Sequence, residues 1–151
     1  MSHLRDELQA VGLRVTAQRL AVFAVVREQG QHLRADEVIE ATHARLQTVS
    51  TQAVYSALSA LCDTGLVRRI EPAGSPAMYE ARVADNHHHV VCRTCGVVAD
   101  VDCAVGAAPC LDPSSTGGFV IDEAEVTFWG LCPACDQKAP TFPLDIQGES
   151  L

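Results

Sequence analysis

The first 65 residues carry apolar positions at helical spacing, and the rest alternates in short strand-like runs. A short helix is predicted from Leu4 to Val11, closed by Gly12. Thr16 stands where an N-cap belongs for a second helix carrying Leu20, Phe23, Ala24 and Arg27, which should end near Gly30. Val38, Ile39, Thr42 and Leu46 form the stripe of a third helix, from Ala35 to about Arg45. Ser50 is the cap of a fourth, with Val54, Leu58 and Leu61 at helical spacing and Gly65 at its end. Leu66 to Ile70 and Ala77 to Glu80 then read as a β-hairpin around the Pro72-Ala73-Gly74-Ser75-Pro76 turn.

Beyond Ala84 the elements shorten. His89 to Cys92 and Val97 to Val101 are strand-like, and a loop rich in small residues and proline spans Ala104 to Gly118. Phe119 to Asp122 and Val126 to Leu131 read as two more strands. The stretch 137–151 carries no pattern and is expected to be a disordered tail. The fold class predicted is α+β, with a winged helix-turn-helix over residues 1–83, hinge included, and a small α/β domain over 84–136. In such a wing-bearing unit the helix Ser50–Asp63 is the recognition helix, and its first turns present Ser50, Thr51, Gln52 and Tyr55 away from the apolar stripe. Base contacts come from that part of a recognition helix. An ordinary exposed helix start, with Ser50 only capping, gives the same pattern.

The net charge of −8 over 151 residues argues against a nucleic-acid binder until its distribution is considered. Residues 1–83 hold nine arginines and nine acidic residues, whereas 84–151 hold two basic and ten acidic ones. The first part can therefore still present a basic face to phosphate, because affinity follows the facing patch rather than the total. There is no 18-residue apolar run and no signal-peptide pattern, so a soluble cytoplasmic protein that does not enter the membrane is expected.

Seven cysteines, an odd number, in such a chain read as metal ligands and thiols rather than as disulfides. Four fall into two CxxC pairs, Cys92/Cys95 and Cys132/Cys135. Each pair puts two thiolates on one tight turn, and two pairs fill a tetrahedral shell with no open position, which is the pattern of a structural Zn2+ site. Such an ion would tie a hairpin-like element to the C-terminal strand. Two unrelated redox motifs are the competing interpretation. A second metal site beside the first is suggested by the run His87-His88-His89: on a strand His87 and His89 face one side and His88 the other. Glu80, Asp85 and Asp100 add hard oxygen donors nearby, and a His/carboxylate shell suits Fe(II), Mn(II) or Ni(II). A triple histidine can equally be a solvated surface run, and His32 taken alone reads as an exposed loop residue.

The segments Leu13-Arg14-Val15-Thr16-Ala17-Gln18-Arg19, Gln52-Ala53-Val54-Tyr55, Gly65-Leu66-Val67, His87 to Gly96 and the closing CxxC together resemble the ferric uptake regulator family, over residues 4 to about 136. The resemblance implies a homodimeric, metal-dependent repressor of double-stranded operator DNA, with the region 84–136 serving dimerisation. It implies Fe2+ or Mn2+ as the regulatory ion beside structural Zn2+, held by His32, Glu80, His87, His89 and Asp100. It also implies base contacts by Tyr55 and a backbone or minor-groove contact by Arg19, which with Arg14, Ser50, Thr51 and Gln52 make up the DNA-contacting set. Two departures stand out. Ala57 occupies the place of a basic residue two positions after the tyrosine, and Ala124 the place of a histidine that completes an extra metal site in several relatives.

The segment Asp100 to Cys110 is similar to the branch that regulates catalase-peroxidase genes, and Asp100 matches the aspartate of peroxide-sensing members. By that resemblance bound Fe(II) reacts with peroxide and a ligand histidine, His32 or His89, is oxidised. Peroxide is then a signal, and no substrate is expected. Cys103 and Cys110 are an alternative pair of redox thiols, with inert packing as the plainer interpretation; Cys62, on the apolar side of its helix, reads as core. Iron or nickel sensing without peroxide chemistry is the rival within the family. Outside it stand a hydrolytic metalloenzyme, for which no nucleophile or base motif appears, and a zinc-ribbon interaction module without DNA binding. The chain is expected not to be an enzyme.

Overall fold

The computed structural model describes residues 2–29, 32–81, 83, 87–102, 115–120 and 126–138. Four helices come first: α1 (Ser2–Ala10), α2 (Ala17–Gln29), α3 (Ala35–Arg45) and α4 (Thr51–Asp63), with the two-residue strand β1 (Leu33–Arg34) running straight into α3. Strands β2 (Arg68–Ile70) and β3 (Met78–Glu80) follow. The expected helix starts are made by the expected residues: the Arg19 N–H donates to Thr16 Oγ1 at 3.2 Å, and the Ala53 N–H to Ser50 Oγ at 3.1 Å. At the far end of α4, Gly65 takes φ 73°, a left-handed conformation that suits glycine, and the chain closes with Leu66 N–H donating to the Leu61 carbonyl at 3.0 Å. The first helix is shifted two residues towards the N-terminus of its expected start, which polar Ser2 and His3 could not reveal by apolar spacing.

Helix α2 is the centre of this part. Val22, Phe23, Val25 and Val26 are buried, and they pack with Val54, Leu58 and Leu61 of α4 and Val38 of α3 in one apolar cluster. β2 and β3 form the expected antiparallel wing, with Arg68 opposite Glu80 and Ile70 opposite Met78. The strand missing from the sequence reading is β1, which adds to β3 with Leu33 opposite Tyr79 and gives a sheet of order β1-β3-β2. That register places His32, the residue before β1, next to Glu80 at the end of β3.

A second sheet has the order β5-β4-β6. β4 (His87–Cys92) and β5 (Val98–Asp102) are antiparallel, and β6 (Thr127–Gly130) lies parallel to β4 on its other side. The short helix α5 (Pro133–Asp136) ends the described chain. β4 begins at His87, two residues before the expected start, because pairing with β5 rather than side-chain alternation carries it outward. The expected strand from Phe119 to Asp122 is not found where it can be seen: Phe119 and Val120 are exposed and in no strand, and Asp122 lies outside the described residues. Cys103, Cys110, Asp85, Ala124 and 139–151 of the expected tail also lie outside them. Among the described residues, no helix is long and apolar enough to cross a membrane.

Candidate metal centres and nucleic-acid interface

The four CxxC cysteines come together. Cys92 ends β4, Cys95 sits in the turn to β5, Cys132 precedes α5, and Cys135 lies on that helix. Parallel pairing of Cys92 with Gly130 is what carries the second pair to the first across 40 positions of chain. The four sulfurs lie within 4.8 Å of one another. Cys95 Sγ and Cys132 Sγ are 3.7 Å apart. Zinc–thiolate bonds of about 2.3 Å give a tetrahedral edge of about 3.8 Å, so the sulfurs fit a zinc ion. Backbone N–H groups of Cys95 and Cys132 pull the Cys92 thiol down to about 6. Contacts with the sulfurs of Cys132 and Cys95 push Cys135 up to about 12, a crowding of negative charge that a central dication relieves. Arg93 stacks its guanidinium 5.4 Å from the ring of Trp129 beside this site, a contact between the turn after β4 and β6 that no local pattern announces.

The second cluster is built from four separate parts of the chain. His32 comes from the segment before β1, Glu80 from β3, and His87 and His89 from β4. Asp100 stands opposite His89 in the β4–β5 register. The ligand atoms of His32, Glu80, His89 and Asp100 lie within 4.8 Å of one another. His32 Nε2 is 2.8 Å from Glu80 Oε2 and 3.0 Å from Asp100 Oδ1, and His89 Nε2 is 3.2 Å from Glu80 Oε2. His87 Nε2 joins at 3.3 Å from Glu80 Oε1. The His32 side chain is 6 % exposed and that of His89 1 %, which corrects the reading of His32 as an exposed loop residue. The burial of His32 comes from Glu80, His89 and Asp100, residues 48 to 68 positions further along the chain, to which local polarity is blind.

The donor set fits a divalent cation. Imidazole nitrogens and carboxylate oxygens are about 3 Å apart around metal bonds of about 2.1 Å, which is the spacing found. His32 Nε2 and Glu80 Oε1 are buried and make no correctly angled hydrogen bond, although oppositely typed atoms lie close to both. Buried polar atoms without such bonds are costly unless something else satisfies them, and a cation at their common centre does so. Two carboxylates balance its two charges. Burial alone would raise the Glu80 carboxyl, but the His32 and His89 rings outweigh it and hold the group well below the usual carboxylate range. With neutral nitrogens and hard oxygens and no thiolate, the chemistry suits Fe(II) or Mn(II). Along β4, His87 and His89 point to one face and Cys92, at odd spacing from both, to the other.

On α4 the residues Ser50, Thr51 and Gln52 are exposed and Tyr55 is 44 % exposed, so the polar first turns face solvent. The helix carries no lysine or arginine. Ala57 is 3 % exposed and belongs to the core, so this position of the helix turns inward rather than toward a groove. Cations come instead from Arg14, in the turn before α2, and Arg19, in the first turn of α2, where Arg19 Nη1 donates to the Arg14 carbonyl at 2.8 Å and ties the two together. Cys62 is half-buried against the core, and burial pushes its thiol up, in keeping with a packing role.

A model of the ferric uptake regulator family matches residues 10–122. The chain is 55 % identical over 130 residues to the transcriptional regulator FurA of Mycobacterium tuberculosis, covering 86 % of this chain and 88 % of that protein. It is 25 % identical over 138 residues to the peroxide operon regulator of Bacillus subtilis, covering 88 % and 91 %. Among solved structures it resembles the Helicobacter pylori ferric uptake regulator, described as having three functional metal-binding sites, with a TM-score of 0.66 at 21 % identity over 89 % of this chain and 90 % of that one.

Proposed function

This chain belongs to the ferric uptake regulator family, whose members are metal-responsive transcriptional regulators and not enzymes, and on that premise we propose that it is a peroxide-responsive repressor. In this reading residues 1–83 grip operator DNA as a winged helix and residues 84–136 dimerise. Structural Zn2+ is held by Cys92, Cys95, Cys132 and Cys135, and Fe2+ or Mn2+ by His32, Glu80, His87, His89 and Asp100. The observation that supports it most is the place of His32, with Nε2 at 2.8 Å from Glu80 and 3.0 Å from Asp100.

Glu80 belongs to the sheet of β1, β3 and β2, and His32 directly precedes its strand β1, whereas His87, His89 and Asp100 belong to the second sheet. Donors drawn to one centre fix the angle between these parts, and through a dimer the spacing of the two α4 helices. An ion shifts that equilibrium only by its preference for the closed arrangement, and His32 supplies the preference because its contact is lost on opening. Bound Fe(II) would supply the reducing power that opens the O–O bond of peroxide; in the overall balance one peroxide oxygen would replace a ring hydrogen of His32 or His89 and the other would leave as water. A ring so altered no longer offers its nitrogen, and the closed arrangement loses its support. Asp100 in this shell and the likeness of residues 100–110 to the catalase-peroxidase branch favour this over iron sensing without peroxide chemistry.

DNA contact is assigned to Arg14, Arg19, Ser50, Thr51, Gln52 and Tyr55. Tyr55→Ala is expected to weaken operator binding by roughly 1–3 kcal/mol, with zinc and Mn(II) stoichiometry unchanged. Titration of a fluorescent operator alongside metal analysis checks this. Unchanged operator affinity would remove α4 from the interface and favour an interaction module.

A further inference from the structure

The helical part holds a cavity of about 360 Å3 between α1, the outer side of α2 and the end of α3. Val15, Leu20, Ala21, Ala24 and Leu46 line it. Ala17, Ala21 and Ala24 also recur along one side of α2, and three methyl groups leave open a space that longer side chains would fill. Two exposed arginines, Arg5 of α1 and Arg45 of α3, border it. Arg45 gives one nitrogen to Glu28 at 2.6 Å, and among the described residues Arg5 has no carboxylate partner. The border therefore carries one positive charge more than its neighbouring carboxylate balances. An apolar cleft of this size with a convergent charged group is the usual form of a small-molecule site.

We propose that this cavity binds an anionic amphiphile, a medium-length acyl chain ending in a carboxylate. The chain lies along the alanines of α2 against Leu20 and Leu46, and the carboxylate meets Arg5, with Arg45 offering its remaining N–H groups. The occupant rests against Val15 and Thr16, in the turn that carries Arg14. The inference does not depend on the metal centres, which share no residue with the cavity.

Calorimetric titration of the zinc-loaded full-length protein with dodecanoate below its micellar concentration tests this, with dodecyltrimethylammonium as the charge-reversed probe. One saturable site with a dissociation constant on the order of 10–100 μM is expected, and at least about tenfold weaker binding of the cation. Ala21→Trp, which fills the cleft, is expected to abolish binding. Arg5→Glu, an exposed change that leaves the core intact, is expected to weaken it about tenfold and decides the matter if the tryptophan variant does not fold. No saturation up to about 1 mM, equal binding of both probes, or binding untouched by Arg5→Glu would each overturn the proposal.

Discussion

Cys92→Ser is expected to lose stoichiometric zinc and with it the order of the second sheet, while the helices before it remain folded. The reason lies in where the apolar core is. Its buried members run from Leu8 to Tyr79, and none comes from β4, β5 or β6. Val91 and Cys92 are the buried apolar residues of the second sheet among those described. Strands of six, five and four residues with so little to bury need a staple, and the four sulfurs across β4, the turn, β6 and α5 provide it. Structural zinc contributes on the order of 10 kcal/mol in small domains at neutral pH. Removing a ligand therefore costs more than the roughly 10–100-fold in affinity that losing a supporting hydrogen bond does. Trp129, the one tryptophan of the chain, sits on β6 and reports the outcome directly. Its emission should shift to the red in the variant while helical circular dichroism is retained. A zinc-free Cys92→Ser protein with native tryptophan emission would show that the sheet stands without the metal.

The second large effect is expected from His32→Ala. This residue is outside the apolar cluster, so fold and zinc content should be unchanged. The variant leaves Glu80, His87, His89 and Asp100 in place yet cuts the donor that comes from the DNA-binding side. Mn(II) would still bind, more weakly, but would no longer favour the closed arrangement. Operator affinity in Mn(II) is expected to fall to that of the metal-free protein, a loss in the range of about 5–150-fold for a coupling of roughly 1–3 kcal/mol. Fluorescence anisotropy with and without Mn(II), for both proteins, measures the coupling as a difference. Full metal-dependent binding by the variant would take His32 out of the switch.

Much of this architecture is legible in the residues, for reasons that differ element by element. Helix α3 spans Ala35 to Arg45 as its stripe requires, and Ser50 caps α4 because a hydroxyl at that position satisfies an N–H that nothing else can. The CxxC pairs name their own partners, since four thiolates have one economical arrangement around zinc. β1 escapes detection because two residues cannot display a period; only its pairing with β3 defines it. The metal cluster is legible in part. His87 and His89 announce a shared face by their spacing, and Asp100 is brought to them by the β4–β5 register, which a turn holding Gly96 at φ 75° sets. His32 and Glu80 meet through β1, so the residue whose role matters most in the proposed switch was visible only through family resemblance. The inward turn of Ala57 shows the converse: a position where the family resemblance implies a basic residue is a core position in this chain.

The central claim is that the His32–Glu80–His87–His89–Asp100 cluster holds the ion that controls DNA binding and that peroxide destroys it only with Fe(II) present. The direct measurement is anaerobic binding of the zinc-loaded protein to DNA from its own promoter, with Fe(II) or with Mn(II), before and after peroxide. Both ions are expected to support binding, and peroxide to abolish it for the Fe(II) form alone, with added mass on the peptide holding His32 or His89. Fe(II)-supported binding that survives peroxide would contradict the account in favour of plain iron sensing, and equal loss with both ions would move the trigger to the thiols.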